Sequence, residues 1–338
     1  RYHSTFGYTY IPSLKKRVVT PEGGYLLRTN SFGFRSEREF EADKKLGVRR
    51  ALLFGDSQAA GDGVANLRRF TDLAEKKIPD FEIYNFALSG AAPDQQLLVY
   101  REFQNILHNM VIICIFVDNI LRVNRSLNYR SDGFGNKKYF PKPYFLLEDG
   151  ILNLYNSPVP KEPLSDFGNE KEKNLAFNHE QRMAFRTPHF LKNSAKDIIS
   201  QNSFGRTAAR IVFKNIVNYN PLPEYDSADN VEWRILYEIL NLWVAESTSP
   251  VAIVPLPLFA HIEQLVDPKN YQDRFHEFAT DNNCCLFDPL PDIWALENST
   301  RARIWSGSSG HFSPSGHEFM AHFLAESIGS YLSESESG

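Results

Sequence analysis

Cysteine is scarce in this chain, with three residues among 338: Cys114, Cys284 and Cys285. An odd count with two of them adjacent is no disulfide framework. Cys114 stands in an apolar run and reads as a core residue. Runs of like charge are missing too, and the net charge is only −4. Binding a phosphate backbone takes clustered lysine and arginine, so a nucleic-acid partner is excluded. No apolar stretch reaches the ~18 residues needed to span a bilayer, there is no signal-peptide pattern, and no internal repeat is visible. The chain opens on Arg1 rather than Met, and the expectation is that a segment precedes it.

What is present is ordinary for a globular protein: 42% hydrophobic and 23% charged residues, enough for a sizeable core. The length is generous for one domain but within reach of an α/β core carrying insertions. The 26 Phe and 15 Tyr read chiefly as packing, with an acyl- or carbohydrate-facing groove as the lesser reading.

Residues 1–48, rich in Tyr, Gly and Pro and then charged, read as an extension lying over the core, with a turn at Asn30-Ser31-Phe32-Gly33-Phe34-Arg35. Ala51-Leu52-Leu53-Phe54 is a short apolar run that suits a buried parallel strand. A helix at about 66–77, a strand over 81–86, a helix over 94–108 and a strand over 110–117 follow. Residues 251–255 are a fourth strand, 268–280 a helix and 284–287 a fifth strand. Such alternation predicts a parallel sheet with right-handed crossovers and ligands at the carboxyl ends of its strands.

The alternation breaks at about 125–245, read as one large insertion. It holds a hairpin turning at Asp149-Gly150, a polar surface loop or lid over 160–185, and helices at about 192–217 and 231–246. The last helix starts near Pro314, with Ser313 as its cap. Residues 333–338, Ser-Glu-Ser-Glu-Ser-Gly, are expected to be disordered. The resulting division is an extension over 1–48, one domain over 49–332, and the tail.

The sharpest chemical signal is Gly55-Asp56-Ser57 directly after the first predicted strand, followed by Gly61-Asp62-Gly63. A serine there sits at the catalytic edge of the sheet. If a helix begins at it, backbone N–H groups and the helix dipole surround its hydroxyl, favouring a nucleophile with an oxyanion beside it. The competing reading is a tight turn in which Asp and Ser cap a helix. The second signal is Gly310-His311-Phe312-Ser313-Pro314. A loop histidine before the terminal helix reaches back over the sheet edge, and Ser57 needs such a base. His317 falls inside the helix and reads as a packing or hydrogen-bonding residue. A zinc site built on His317-Glu318 is rejected, because the second ligand belongs four residues on, where Ala321 stands, and His322 is one too far.

Together these residues resemble the SGNH, or GDSL-like, hydrolase family, over about 49–124 and 250–328. The resemblance implies a flavodoxin-like three-layer α/β/α sandwich with about five parallel strands, and no metal or organic cofactor. It implies Ser57 as nucleophile and His311 as base. The backbone N–H groups of Ser57 and Gly90, in Asn85-Phe86-Ala87-Leu88-Ser89-Gly90, would line the oxyanion hole with the side chain of Asn119, or less closely Asn124. The family order Asn-Asp is reversed here in Asp118-Asn119. The acid that normally precedes the histidine is replaced, since Ser308 and Ser309 stand where it belongs. A Ser–His dyad, a substitute carboxylate such as Asp288 or Asp292, or a weakened site each answers that loss. The lead-in over 30–35 and the Asp94-Gln95 pair also resemble a bacterial subgroup that follows an N-terminal membrane anchor and accompanies envelope-polysaccharide genes. That implies a periplasmic, membrane-anchored setting and a small-molecule or polysaccharide ester as substrate, probed by the hairpin beyond Lys142-Pro143. The expected activity is that of a serine esterase acting on a carbohydrate O-acyl ester, acetyl in the family pattern. An O-acyltransferase with the same site and a non-catalytic carbohydrate-binding protein keeping the fold are the alternatives.

Overall fold

The computed structural model describes residues 1–19, 23–131, 137–163, 219–306 and 310–337. Five parallel strands form the central sheet: β1 (Arg49–Phe54), β2 (Phe81–Asn85), β3 (Met110–Phe116), β4 (Val251–Leu256) and β5 (Cys285–Leu286). Their spatial order is 2-1-3-4-5, and every pairing is parallel. This is the flavodoxin-like doubly wound order, with the reversal between β1 and β3. Strands 1, 3 and 4 are almost wholly buried, because helices cover both faces and leave no solvated side to the sheet.

Alternate residues feed two cores. Leu52 and Phe54 of β1 and Val111, Ile113 and Ile115 of β3 face α3 (Pro93–Phe103), α4 (Val231–Glu246) and α5 (Lys269–Asp281). Ala51 and Leu53, with Ile112 and Cys114, face α2 (Phe70–Glu75) and α6 (Pro314–Ser337). The period-two alternation of the strands assigns each side chain to its layer. The aromatics are mainly structural. Phe54 meets Phe86, Tyr100 and Trp243 at centroid distances of 5.3–5.7 Å, and each such ring contributes roughly 2–3 kcal/mol by burial. Phe6, Phe34 and Phe40 join this core from the N-terminal segment.

The structure departs from the sequence reading in three places. Helix α4 was expected within the insertion, yet it is the crossover that joins β3 to β4, with Trp233, Ile239 and Trp243 buried under the sheet. Two adjacent parallel strands need such a crossover, so the inserted residues end before 231. The tail expected to be disordered from 333 is helical through Ser337; a helix already anchored by Leu324 and Ile328 propagates one residue at a time with no further nucleation. The fifth strand is only two residues long. The Asp149-Gly150 hairpin is present, pairing Tyr144–Glu148 with Ile151–Tyr155, and both turn residues take positive φ, 50° and 80°, as a type I′ turn requires. The loop over 160–185 and the helix over 192–217 lie largely or wholly outside the described residues. Among those described, no helix is long and apolar enough to cross a membrane.

Candidate active site

Three strand ends meet at the reversal of strand order. Ser57 follows β1, Ser89-Gly90 follows β2, and Asn119 follows β3 in a 3-10 turn over Val117–Arg122. Ser57 is the first residue of α1 (Ser57–Ala60). Gly55 precedes it for a steric reason: a Cβ at that position would come within 2.6 Å of the Ala59 Cβ and 3.2 Å of the Cys114 Cβ. Helix α1 is a single turn ended by Gly61 at φ 77°. Four peptides sum to little macrodipole, so local N–H groups, rather than the helix field expected from the sequence, are what this turn offers. The Ser57 N–H makes no hydrogen bond among the described residues, while its carbonyl accepts from the N–H groups of Gly61 and Asp62, both at 3.0 Å.

His311 Nε2 lies 2.9 Å from Ser57 Oγ, across 254 residues of sequence. With the hydroxyl donating, the ring nitrogen is the acceptor a general base needs. His311 sits on a two-residue ribbon in which Trp305 pairs with Phe312 and Ser306 with His311. Gln58 holds that ribbon from both sides: its Nε2 donates to the Gly310 carbonyl at 3.2 Å, and its Oε1 accepts from the Phe312 N–H at 3.1 Å. The two bonds bracket His311. Gln58 is buried, and its place beside Ser57 ties Ser57 and His311 to one turn. The sequence reading passed over it; a polar side chain directly after a nucleophile, in a turn destined for burial, was the available signal.

Asp56 is fully buried and caps α1, accepting from the Gln58 N–H at 3.0 Å and from the Asn119 Nδ2 at 3.1 Å. Burial pushes its carboxyl upward, against Arg122, those two hydrogen bonds and the charge of His311. Asp56 is thus the capping residue that the competing reading required, and Ser57 remains free to face His311. Asn119 is brought to the site and fully buried. One of its amide hydrogens goes to Asp56, and the other has no acceptor among the described residues. Asn124 falls beyond the turn. Gly90, at φ 82°, presents an N–H with no partner among the described residues.

The acid positions Ser308 and Ser309 lie outside the described residues. Of the two substitute carboxylates, Asp288 is hydrogen-bonded elsewhere. Asp288 accepts from Gln272 Nε2 at 2.6 Å and from the Leu290 N–H at 3.0 Å, just before the helix Leu290–Ala295, and Asp292 is exposed on that helix. His317 is fully buried and accepts the Phe70 N–H on Nδ1 at 3.2 Å, which makes it the structural residue the sequence suggested.

A second set of ties joins the loops of the site. Fully buried Arg35 donates to the carbonyls of Gly61 and Val64 at 2.8 and 2.7 Å and to Asn66 Oδ1. Asp62, on the loop so held, accepts from Ser89 Oγ at 2.5 Å. The turn after β1 is thereby fastened to the turn after β2 by residues that composition alone did not single out.

No protein-family model and no curated protein matches the chain. Among solved structures it is similar to a member of the lipolytic protein G-D-S-L family from Veillonella parvula, with 10% identity over 82% of this chain and 97% of that one and a TM-score of 0.40. It is also similar to an extracellular lipase from Streptomyces rimosus (10% identity, 82% and 98%, TM-score 0.41). A phospholipase A1 from Streptomyces albidoflavus shows the same likeness (10% identity, 84% and 99%, TM-score 0.43).

Proposed function

We propose that this chain is a serine ester hydrolase that works through an acyl-Ser57 intermediate, with O-acyl esters of carbohydrates as its substrate class. The observation that carries the reading is the 2.9 Å approach of His311 Nε2 to Ser57 Oγ at the carboxyl edge of the sheet. Two backbone N–H groups without a partner among the described residues, those of Ser57 and Gly90, stand on the turns that flank it.

In the proposed reaction His311 takes the hydroxyl proton as Ser57 Oγ attacks the ester carbonyl. The carbonyl oxygen becomes an oxyanion stabilised by the N–H groups of Ser57 and Gly90 and by the remaining amide hydrogen of Asn119. The tetrahedral intermediate collapses by breaking the bond to the alcohol oxygen, which leaves with the proton held on His311. A water molecule then gives its proton to His311 and attacks the acyl-enzyme. The acid is released and Ser57 is restored. The carbohydrate part of the proposal rests on the sequence resemblance.

The test is hydrolysis of p-nitrophenyl acetate, together with labelling by a fluorophosphonate. Wild-type chain should turn over the ester and be labelled at Ser57. Ser57→Ala and His311→Ala should each lose roughly 10³-fold or more in kcat while keeping the wild-type melting temperature. A folded wild-type chain with neither turnover nor labelling would leave the fold without this chemistry. Release of acetate from an acetylated oligosaccharide, but not from a long-chain lipid ester, would support the substrate class.

A further inference from the structure

Ser89, the residue before Gly90, is held at every polar group by residues from outside its own turn. Tyr8 Oη donates to the Ser89 carbonyl at 2.6 Å. Tyr10 Oη accepts from the Ser89 N–H at 3.2 Å. The Ser89 hydroxyl is the one already described on Asp62. Two of these three partners belong to the N-terminal segment, some eighty residues away in sequence. The Tyr8 hydroxyl is close enough to Gly90 that a Cβ there would meet it at 3.3 Å.

The Ser89 carbonyl and the Gly90 N–H are two ends of one peptide group. That group is planar and trans, so its oxygen and its hydrogen point in opposite directions in a single plane. A donor fixed on the oxygen therefore fixes the direction of the hydrogen. It also draws electron density from the amide nitrogen and makes the N–H a stronger donor, as in any hydrogen-bonded chain. Tyr8 itself stands on a firm mount. It closes the two-residue ribbon Gly7–Tyr8, which pairs with Tyr2–His3, and the neighbouring Phe6 carbonyl accepts from buried Gln95 Nε2 at 2.8 Å.

We propose that Tyr8 is a positioning residue of the oxyanion hole, its hydroxyl orienting and polarising the Gly90 N–H through the Ser89 carbonyl. The inference rests on the esterase reading above and goes beyond it. It makes the N-terminal segment a working part of the site.

The test compares Tyr8→Phe with Tyr2→Phe in the full chain, using p-nitrophenyl acetate. Tyr2 serves as the control because its hydroxyl makes an equally short bond, 2.5 Å to the Val159 carbonyl, without reaching Ser89. Tyr8→Phe should lower kcat about tenfold, with KM held within about twofold. It should also weaken phenylboronic acid by a similar factor, because the boronate adduct on Ser57 places an oxygen where the oxyanion forms. Tyr2→Phe should change neither. A purely structural Tyr8 would lower stability and leave kcat per folded molecule and boronate affinity as they were, which overturns the proposal. Should Tyr8→Phe not fold, 3-fluorotyrosine at position 8 keeps the ring and supplies a more acidic hydroxyl. kcat that rises with that acidity supports the proposal, and kcat indifferent to it overturns it. Ser57→Ala is run beside them. Wild-type turnover that survives Ser57→Ala overturns the esterase reading and this inference together, whereas Ser57-dependent turnover unchanged in Tyr8→Phe overturns this inference alone.

Discussion

Gln58 shows how much of the proposed catalytic geometry can rest on a residue outside the proposed chemistry. Its side-chain amide satisfies a carbonyl on one side of His311 and an N–H on the other, and it follows Ser57 in sequence. Gln58→Leu keeps the volume but removes both bonds, leaving the Gly310 carbonyl and the Phe312 N–H without that partner. The loss should be of the order of 2 kcal/mol in stability. Because an error near 1 Å in the reacting atoms can cost ~10²-fold, kcat should fall between roughly ten- and a hundredfold. The rate of fluorophosphonate labelling should fall in parallel, and KM should hold. Stopped-flow labelling at matched folded fraction checks this; labelling at the wild-type rate would mean the ribbon holds His311 without Gln58. The sequence showed Ser57 and His311 because their motifs flank predicted elements. It could not show Gln58, whose side-chain partners are backbone groups 252 and 254 residues away and carry no side-chain signature.

At the scale of elements, what was legible followed from local pattern. The core strands are unbroken apolar runs, α6 opens on Ser-Pro, and Asp-Gly turns the hairpin. Each of these is a property of adjacent residues. Helix α4 was placed at the right residues but read as part of the insertion for the opposite reason: its role as a crossover depends on β3 pairing with β4, and a long polar stretch separates the two in sequence. The hairpin Leu127–Ser131/Lys137–Pro141 is fastened to the core in a comparably non-local way. Lys142, at its end, donates to Asp94 in the first turn of α3 and to the Pro143 carbonyl at 2.9 Å. Both charged side chains are buried, at 1% and 0% exposure. Burial of two ions gains little when they are paired and costs much when one is left alone. Asp94→Asn should therefore cost about 3–5 kcal/mol. The double variant Asp94→Leu with Lys142→Met should recover most of that loss. Urea unfolding of the three chains measures it. A single variant as stable as wild type would mean that Lys142 finds solvent or another acceptor, and the hairpin would then not depend on the pair.

For the molecule as a whole, two buried histidines set the response to acid. His261 and His317 are 1% and 0% exposed. Burial lowers the pKa of each from 6.5 to about 3, helped in His317 by Arg35, Arg69 and His311. Each uses Nδ1 to accept a backbone N–H, from Leu258 and Phe70 respectively, so protonation there would also break a hydrogen bond. Between pH 6.5 and about 3 the unfolded chain binds protons at these rings that the folded chain does not. Stability therefore falls as pH falls through that window, by up to a few kcal/mol for each ring. Asp94 works in the other direction, since burial raises it from 3.8 to about 6 against the pull of Lys142. Below pH 6 the folded chain keeps a proton there that the unfolded chain has released, which adds stability. Asp56 and Asp288, also raised by burial, act with Asp94, and His3 and His108, also lowered by burial, act with the two rings; protonating Asp94 moreover strips Lys142 of its counter-charge. The net expectation is a steady loss of stability from pH 6.5 downward. The loss should be shallower in His317→Asn, whose amide oxygen can accept the Phe70 N–H without taking up a proton. Urea unfolding at pH 7.5, 6.5, 5.5 and 4.5 provides the comparison. Parallel slopes for wild type and His317→Asn would show that His317 is already protonated in the folded chain, and the buried ring would then need a counter-ion, with Asp72, whose charge acts on it, as the group to substitute next.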